Sequence, residues 1–225
     1  SIEPVRLLAN EGHDLTIAFM NSNIQPREEY DHRRITLLDW AQAQGIPVVE
    51  GVYDEAQWAA GPGAVMRAGK PKEERCRVCY RMRLEEAAAY AAAHGFEGIS
   101  TTLAISPYQY SEVCHEELQR VADAYGLACV WTDCLFAYPE ATRKSRELQM
   151  YRQNYCGCLV SKKEAEEDRE QRKRERAAAR EAREAAEAPL REAKKRERAA
   201  YEARQHAKRI ARDQARARAK AESSR

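Results

Sequence analysis

Two pairs of closely spaced cysteines are the residues in this sequence best suited to chemistry. Cys76 and Cys79 form a Cys-x-x-Cys pair, and Cys156 and Cys158 form a Cys-Gly-Cys pair. A disulfide gains most when it closes a long loop, so a bond between Cys156 and Cys158 would add almost no stability. The Cys-Gly-Cys pair therefore has three interpretations: it binds a metal, it cycles between dithiol and disulfide, or it is two small apolar side chains that are neighbours.

The Cys-x-x-Cys pair is predicted to open a helix and to be reactive. A helix N-terminus with Arg75, Arg77 and Arg81 nearby favours thiolate over thiol, and thiolates are the form that metals bind. The four paired cysteines could form one tetrahedral zinc site, or they could supply part of an iron–sulfur site. Spacing alone does not separate these two kinds of metal site.

The other three cysteines give weaker signals. Cys114 falls inside a predicted helix and Cys129 inside a predicted strand, which favours a place in the core for both, while Cys134 in a turn stays open. Seven cysteines with four in tight pairs favour metal or redox chemistry in a reducing compartment. No apolar run approaches the about 20 residues that span a bilayer. The sequence therefore predicts a cytoplasmic protein without a membrane partner.

Strand and helix signals alternate along the first part of the chain, residues 1–161. Strands alternating with helices of this length predict an α/β domain, Rossmann-like, with a mostly parallel sheet and flanking helices. Ser106 is the predicted N-cap of the third helix, and Gly and Pro residues predict a loop at 60–74. The predicted strands are 14–20, 46–51, 96–102 and 127–131, and the predicted helices are 27–45, 76–95 and 106–126.

Polar and aromatic residues follow the predicted strands, at the edge where open parallel sheets place their ligands. A second group of cations and aromatics precedes the Cys-Gly-Cys pair and suits a phosphate and base surface. Turn residues, helix caps and a charged helix face would explain the same residues without a ligand. The candidate substrate-binding residues are Asn23, Tyr30, Arg33, Thr101, Thr102, Ser106, Tyr108, Arg146 and Arg152.

The rest of the chain, residues 162–225, has a different composition. It holds 22 Lys and Arg against 14 Asp and Glu, while the preceding residues hold 16 against 22. Acidic and basic residues recur four apart in the order that supports a helix, and Pro189 should kink or break that helix. The sequence predicts a long charged extension that is helical or partly disordered. Its basic surplus leaves open an additional role in steering RNA.

Four stretches in order resemble the QueH-type epoxyqueuosine reductases: "NSNIQPREEYDHR", "CRVCYRMRLEEAA", "TTLAISPYQ" and "SRELQMYRQNYCGC". The resemblance implies reduction of the epoxide of epoxyqueuosine, at the wobble position of a tRNA anticodon, with a [4Fe–4S] cluster and an electron donor. It implies that Cys76 and Cys79 are two cluster ligands. Because such a cluster normally moves one electron at a time and a dithiol that closes to a disulfide yields two, we expect Cys156 and Cys158 to be a redox-active pair. Ligation of the cluster, or of an additional iron beside it, is the competing role for the second pair.

In the family that the chain resembles, a cysteine-rich segment ends the first strand just before residues that look like "SIEPVRLL". The present sequence begins with those residues. We therefore expect the codons upstream of Ser1 to encode a strand that ends in two or more cysteines, which would supply the remaining cluster ligands.

Two other functions fit parts of the sequence. A tRNA sulfurtransferase of the ATP-pyrophosphatase type shares the alternating strands and helices and uses cysteine pairs, but it needs a phosphate-binding loop after its first strand. A zinc-stabilised RNA-binding module would use the four paired cysteines for structure alone. A metal analysis and a visible absorption spectrum would separate the second alternative from an iron–sulfur enzyme.

Overall fold

The computed structural model describes the backbone of residues 2–222 and the side chains of residues 2–103 and 105–216. The chain divides into two compact units, Ser1–Ala165 and Glu166–Arg225. Within the described residues no helix is long and apolar enough to cross a membrane.

The first half of the larger unit contains two strands and five helices. Asp54 caps α3 because its carboxylate accepts a hydrogen bond from the Ala56 N–H at 2.9 Å, and Gly45 ends α2 in the left-handed conformation. The elements are α1 (Ile2–Asn10), β1 (Ile17–Phe19), α2 (Arg27–Gln44), β2 (Val48–Glu50), α3 (Glu55–Ala60), α4 (Pro62–Arg67) and α5 (Lys72–Ala93).

The second half of that unit has shorter strands. Two 3₁₀ helices, Leu103–Ile105 and Leu135–Ala137, lie in its connecting segments. The remaining elements are β3 (Gly98–Ile99), α6 (Ser111–Tyr125), β4 (Ala128–Cys129), α7 (Tyr138–Glu147) and α8 (Leu159–Glu222), the last of which extends into the second unit.

All strand pairs found in the described residues are parallel. Ile17 pairs with Val48 in β1 and β2, and Gly98 pairs with Ala128 in β3 and β4. Parallel strands joined through helices confirm the α/β class. The described strands form two separate two-stranded sheets rather than one sheet, and helices make up most of the chain. A single Rossmann-like sheet therefore stays a prediction.

The main core lies between α5 and α6. Tyr80, Leu84, Ala88 and Ala91 recur every three or four residues along α5, so they share one helix face. That face packs on Leu118 and its neighbours of α6, which are fully buried. The position of α5 against α6 matters for function because α5 carries the Cys-x-x-Cys pair.

The predicted loop at 60–74 is wrong. These residues form α4 and the start of α5, because Pro62 occupies a first-turn position where its missing N–H is not needed. Pro71 precedes α5, and Glu73 and Glu74 stabilise its first turn, so this helix begins at Lys72. The Cys-x-x-Cys pair consequently follows the helix start by one turn and does not open the helix.

The predicted start of the third helix at Ser106 is also wrong. The Ser106 hydroxyl accepts a hydrogen bond from the Tyr108 N–H at 3.3 Å, which closes a local turn, and α6 begins only at Ser111. The helical extension is present, and the structure continues it through Pro189 without a break in the helix. A break at Pro189 is therefore not observed.

Candidate active site

The Cys-Gly-Cys segment is held by hydrogen bonds to its backbone. The Arg33 guanidinium donates to the carbonyl oxygens of Cys156 at 2.6 Å and Tyr155 at 3.0 Å, and its charge lies 4.9 Å from the centre of the Tyr155 ring. The Ser161 hydroxyl donates to the Cys158 carbonyl at 2.7 Å. Arg33, one of the predicted substrate-binding residues, is thus a buried support of the thiol segment.

Glycine is required at position 157 by close approach. A Cβ at Gly157 would lie 2.6 Å from the Asn23 side-chain nitrogen and 3.3 Å from Ile24. The Gln25 N–H also donates to the Gly157 carbonyl at 3.0 Å. The predicted candidate Asn23 is therefore only 2% exposed and packs under the turn between the two thiols.

The four paired cysteines come together. Cys79 and Cys158 share one buried cluster with Trp58, and the thiols of Cys156 and Cys158 both act on the Cys76 thiol electrostatically. The three other cysteines pack elsewhere: Cys114 and Cys129 belong to the main core, and Cys134 to a separate small cluster with Ile105. All seven are free thiols. We refer to Cys76, Cys79, Cys156 and Cys158 as the thiol centre.

Burial, and not positive charge, dominates the protonation of the Cys-x-x-Cys pair. Burial and the neighbouring Cys156 raise the pKa of Cys76 to about 11, and burial raises the pKa of Cys79 as well. The helix start and the arginines were expected to favour the thiolate form of this pair. That expectation is wrong for the protein without a bound metal. Metal binding at these two thiols would have to release protons.

The three arginines beside this pair are neutralised by carboxylates. Arg75 donates to Glu164 at 3.0 Å, and Arg81 donates to Glu117 at 2.7 and 2.9 Å. Arg77 reaches Glu117 at 3.2 Å. Glu117 is 2% exposed and binds arginines from both α5 and α6, so it fixes the helix that carries the Cys-x-x-Cys pair.

Gln109 lies at the candidate site but was not predicted from the sequence. Its side-chain oxygen accepts a hydrogen bond from the Tyr80 hydroxyl at 2.7 Å and contacts the Cys156 sulfur at 3.8 Å. The Tyr110 N–H donates to the same Tyr80 hydroxyl at 3.3 Å. Gln109 thus links the third stretch of the sequence to Cys156. Its place at the end of "SPYQ", next to Tyr108, could have indicated its position, but Tyr108 was chosen as the candidate instead.

The other predicted substrate-binding residues have varied surroundings. Tyr30 belongs to a core cluster, where its ring centre lies 4.3 Å from that of Tyr53 and burial raises its pKa. Thr101 accepts a hydrogen bond from the Leu103 N–H at 3.2 Å. Tyr108 is 67% exposed, with its ring centre 6.4 Å from that of Tyr138. Thr102 and Ser106 are half-buried, and Arg146 and Arg152 are exposed.

A soft metal fits the chemistry of the thiol centre. Its donors are sulfur atoms, and thiolates select zinc, Cu(I) and iron–sulfur clusters. Among the described residues no three His, Cys, Asp or Glu side chains are grouped closely enough to hold a metal ion by themselves. The sulfur donors therefore fit a soft metal or an iron–sulfur cluster, while in the structure all four cysteines are free thiols.

Comparison with known proteins identifies the chain. The family model described as "Epoxyqueuosine reductase QueH" matches residues 1–164. An epoxyqueuosine reductase QueH of Dehalococcoides mccartyi is 30% identical over 155 residues, which cover 68% of this chain and 82% of the relative. The QueH of Acinetobacter baylyi is 33% identical over 162 residues, covering 71% and 74%. The QueH of Haemophilus influenzae is 30% identical over 181 residues, covering 77% and 72%.

The chain is an α/β protein whose free thiols lie near one another, and the relatives that it matches are reductases. It is therefore an oxidoreductase. The chain belongs to the QueH family of epoxyqueuosine reductases. This assignment decides against both alternatives considered from the sequence, the sulfurtransferase and the non-enzymatic zinc module.

Proposed function

We propose that this chain reduces the epoxide of epoxyqueuosine in tRNA and thereby forms queuosine. The observation that carries the proposal is the convergence of the Cys-Gly-Cys and Cys-x-x-Cys pairs on one thiol centre in a member of this family. The relatives are named epoxyqueuosine reductases, and the family resemblance implies that the epoxyqueuosine is carried by a tRNA.

The reaction balances with a dithiol as the direct reductant. Both carbon–oxygen bonds of the epoxide break, a carbon–carbon double bond forms, and the oxygen leaves as water after taking two protons. Cys156 and Cys158 supply the two electrons and the two protons when their sulfur–sulfur bond forms. An external electron donor then reopens the disulfide for the next turnover.

The surrounding residues prepare the pair for this step. Arg33 and Ser161 fix the backbone of the segment, and Gly157 leaves room for it against Asn23. The Cys156 thiol donates a hydrogen bond to the side-chain oxygen of Gln109 at 3.8 Å, which orients the thiol that gives its proton to the epoxide oxygen. Cys156 is half-buried and Cys158 is buried, so Cys156 is the thiol that meets the substrate.

Cys76 and Cys79 would hold the [4Fe–4S] cluster. Such a cluster, when bound, would supply one-electron transfer chemistry beside the Cys-Gly-Cys pair. The two residues lie three apart on α5, so their sulfurs share one helix face. Ligation of an additional iron by Cys156 and Cys158 is the competing role for the second pair.

Substrate contact is proposed for the exposed residues beside the thiol centre. Tyr108 is next to Gln109 in sequence and offers an exposed ring on which a base can stack. Arg146 and Arg152 are exposed cations that suit phosphate. The buried candidates, Asn23 and Tyr30, support the site from beneath instead.

Serine variants test the division of labour between the two pairs. We expect Cys156→Ser and Cys158→Ser to abolish epoxide reduction while the protein stays folded and keeps most of its iron. We expect Cys76→Ser and Cys79→Ser to lose the iron and the visible absorption. Cys129→Ser is the matched control, because this half-buried thiol lies in the main core. Retained activity in both variants of the Cys-Gly-Cys pair would contradict the proposal.

A further inference from the structure

Two buried side-chain atoms in the described part of the chain lack a hydrogen-bond partner, and both belong to residues at the thiol centre. They are the indole nitrogen of Trp58 and the side-chain oxygen of Asn23. Trp58 packs with Cys79 and Cys158, and Asn23 packs against Gly157. A buried polar group without a hydrogen-bond partner destabilises the fold, so each one calls for a physical reason.

The orientation of Trp58 is constrained by its neighbours. The side chain is 6% exposed, and its ring atom Cζ3 lies 3.2 Å from the position that a Cβ would take at Gly63. Cζ3 and the N–H occupy opposite edges of an indole, so the donor faces away from Gly63. The partly buried side chains of Met82 and Val160 complete the cluster and offer the indole no strong acceptor.

Sulfur is the acceptor that the chemistry of the cluster provides. A neutral thiol accepts hydrogen bonds weakly, whereas a sulfur with negative charge accepts them well. The Cys158 sulfur already faces the Ser161 N–H at 3.4 Å, which shows that backbone donors reach this site. The Trp58 N–H would be a second donor beside the sulfurs of Cys79 and Cys158, and it would gain a stronger acceptor when a metal binds one of them.

We propose that Trp58 is a positioning residue whose indole N–H donates to the sulfur of Cys79 or Cys158 when that sulfur binds a metal. This inference rests on the proposed redox function of the thiol centre and goes beyond it, because it names the group that tunes the sulfurs. Hydrogen bonds to cluster and ligand sulfurs raise the reduction potential, since they stabilise the electron-rich state.

The three tryptophans, Trp40, Trp58 and Trp131, allow a direct measurement. Protein labelled with ¹⁵N at the indoles gives three N–H signals, which Trp40→Phe and Trp131→Phe assign by elimination. We expect the Trp58 proton signal to move downfield when Zn²⁺ is added to the reduced protein. The Trp131 signal should stay in place, because that ring stacks on His115 at 4.3 Å.

The phenylalanine variant gives a second readout. Trp58→Phe keeps an aromatic ring and removes the donor, so the affinity for Zn²⁺ should fall about tenfold. Trp131→Phe should leave that affinity unchanged. The affinity is read by competition with a chromogenic zinc chelator.

The outcomes separate this inference from the proposed function. A Trp58 signal that stays in place when Zn²⁺ is added overturns the inference, even if the enzyme reduces epoxyqueuosine. A signal that moves as expected supports it, even if no epoxide is reduced. The signal is measured without the Trp58→Phe variant, so a variant that fails to fold does not prevent the test.

Discussion

The two units use charged residues in different ways. In Ser1–Ala165, buried charged groups connect distant parts of the chain: Arg33 reaches residues more than 100 positions away, and Glu117 joins α5 to α6. In residues 166–216, the side chains are exposed apart from the half-buried Glu187, and ion pairs such as Arg198 with Glu202 lie four residues apart on one helix. Charge organises a site in the first unit and supports a local helix in the second.

The contrast predicts opposite sensitivities to substitution. Removing one buried partner in the first unit leaves the other polar group without a hydrogen-bond partner, which lowers the stability of the fold. Removing an exposed pair in the second unit changes stability little, because solvent replaces it. Substitutions in each unit can therefore test whether buried and exposed charges differ in this way.

Arg33→Lys should have the largest effect. Lysine keeps the charge but cannot donate to the carbonyls of Tyr155 and Cys156 as a fork, so we expect a loss of about 1.5–3 kcal/mol in stability and at least tenfold in activity. Denaturant unfolding and single-turnover kinetics measure both. The control is Arg34→Lys on the same helix, whose exposed pair with Glu50 should contribute little to stability. Equal effects of both variants would show that Arg33 has no special supporting role.

Glu117→Gln should have an intermediate effect that depends on pH. Burial raises the pKa of Glu117, but hydrogen bonds from Arg81 and Arg120 outweigh burial, so its pKa lies below the ordinary value of 4.5. The ionised carboxylate thus stabilises the fold above pH about 4.5, and this contribution is lost as the pH falls through the lower folded pKa. We expect Glu117→Gln to lose about 1–3 kcal/mol at pH 7 and less at low pH.

Unfolding curves at several pH values test this expectation. Glu116→Gln is the control, because that carboxylate binds Arg77 alone and is well exposed. A stability difference between wild type and Glu117→Gln that grows as the pH falls below 4.5 would show that the sign of the argument is wrong.

Deletion of residues 166–225 should have the smallest effect on the fold. Surface changes of this kind shift stability by less than about 0.5 kcal/mol. The deletion begins after Glu164, since this residue pairs with Arg75. If the extension steers RNA, its loss weakens tRNA binding and lowers the slope of log affinity against log salt by about 0.7–0.9 per lost phosphate contact.

A shorter deletion sharpens the same test. Residues 166–203 hold 12 basic and 11 acidic side chains, while residues 204–225 hold 8 basic and 2 acidic ones. Deleting only 204–225 should therefore reproduce most of the change in slope. Unchanged affinity and slope in both deletions would mean that the extension does not bind RNA.

Patterns that act over a few residues were readable from the sequence. The end of α2 at Gly45, the parallel strands, the helical extension and the pairing of cysteines all follow from local spacing and residue type. Local spacing also misled, since Ser106 resembled a helix cap but closes a turn, and the arginines near Cys76 resembled activating charges. Their partners, Glu117 and Glu164, lie about 40 and 90 residues away, beyond the reach of a local pattern.

The candidate site shows the same limit at single residues. Gln109 contacts Cys156, which is 47 residues away, and Trp58 packs with Cys79, which is more than 20 residues away. Neither residue therefore stood out in its own stretch. Arg33 and Asn23 lie against the Cys-Gly-Cys segment, but the sequence could not tell a buried support from a group that meets the substrate.

Trapping of thiols after one turnover tests the central proposal most directly. Reduced enzyme is mixed with tRNA that carries epoxyqueuosine, without any added reductant, and the thiols are blocked by acid quenching and alkylation. We predict one disulfide between Cys156 and Cys158 for each queuosine formed, and none in enzyme mixed with tRNA that already carries queuosine. Queuosine formed while both cysteines remain alkylatable would contradict the proposal that this pair supplies the electrons.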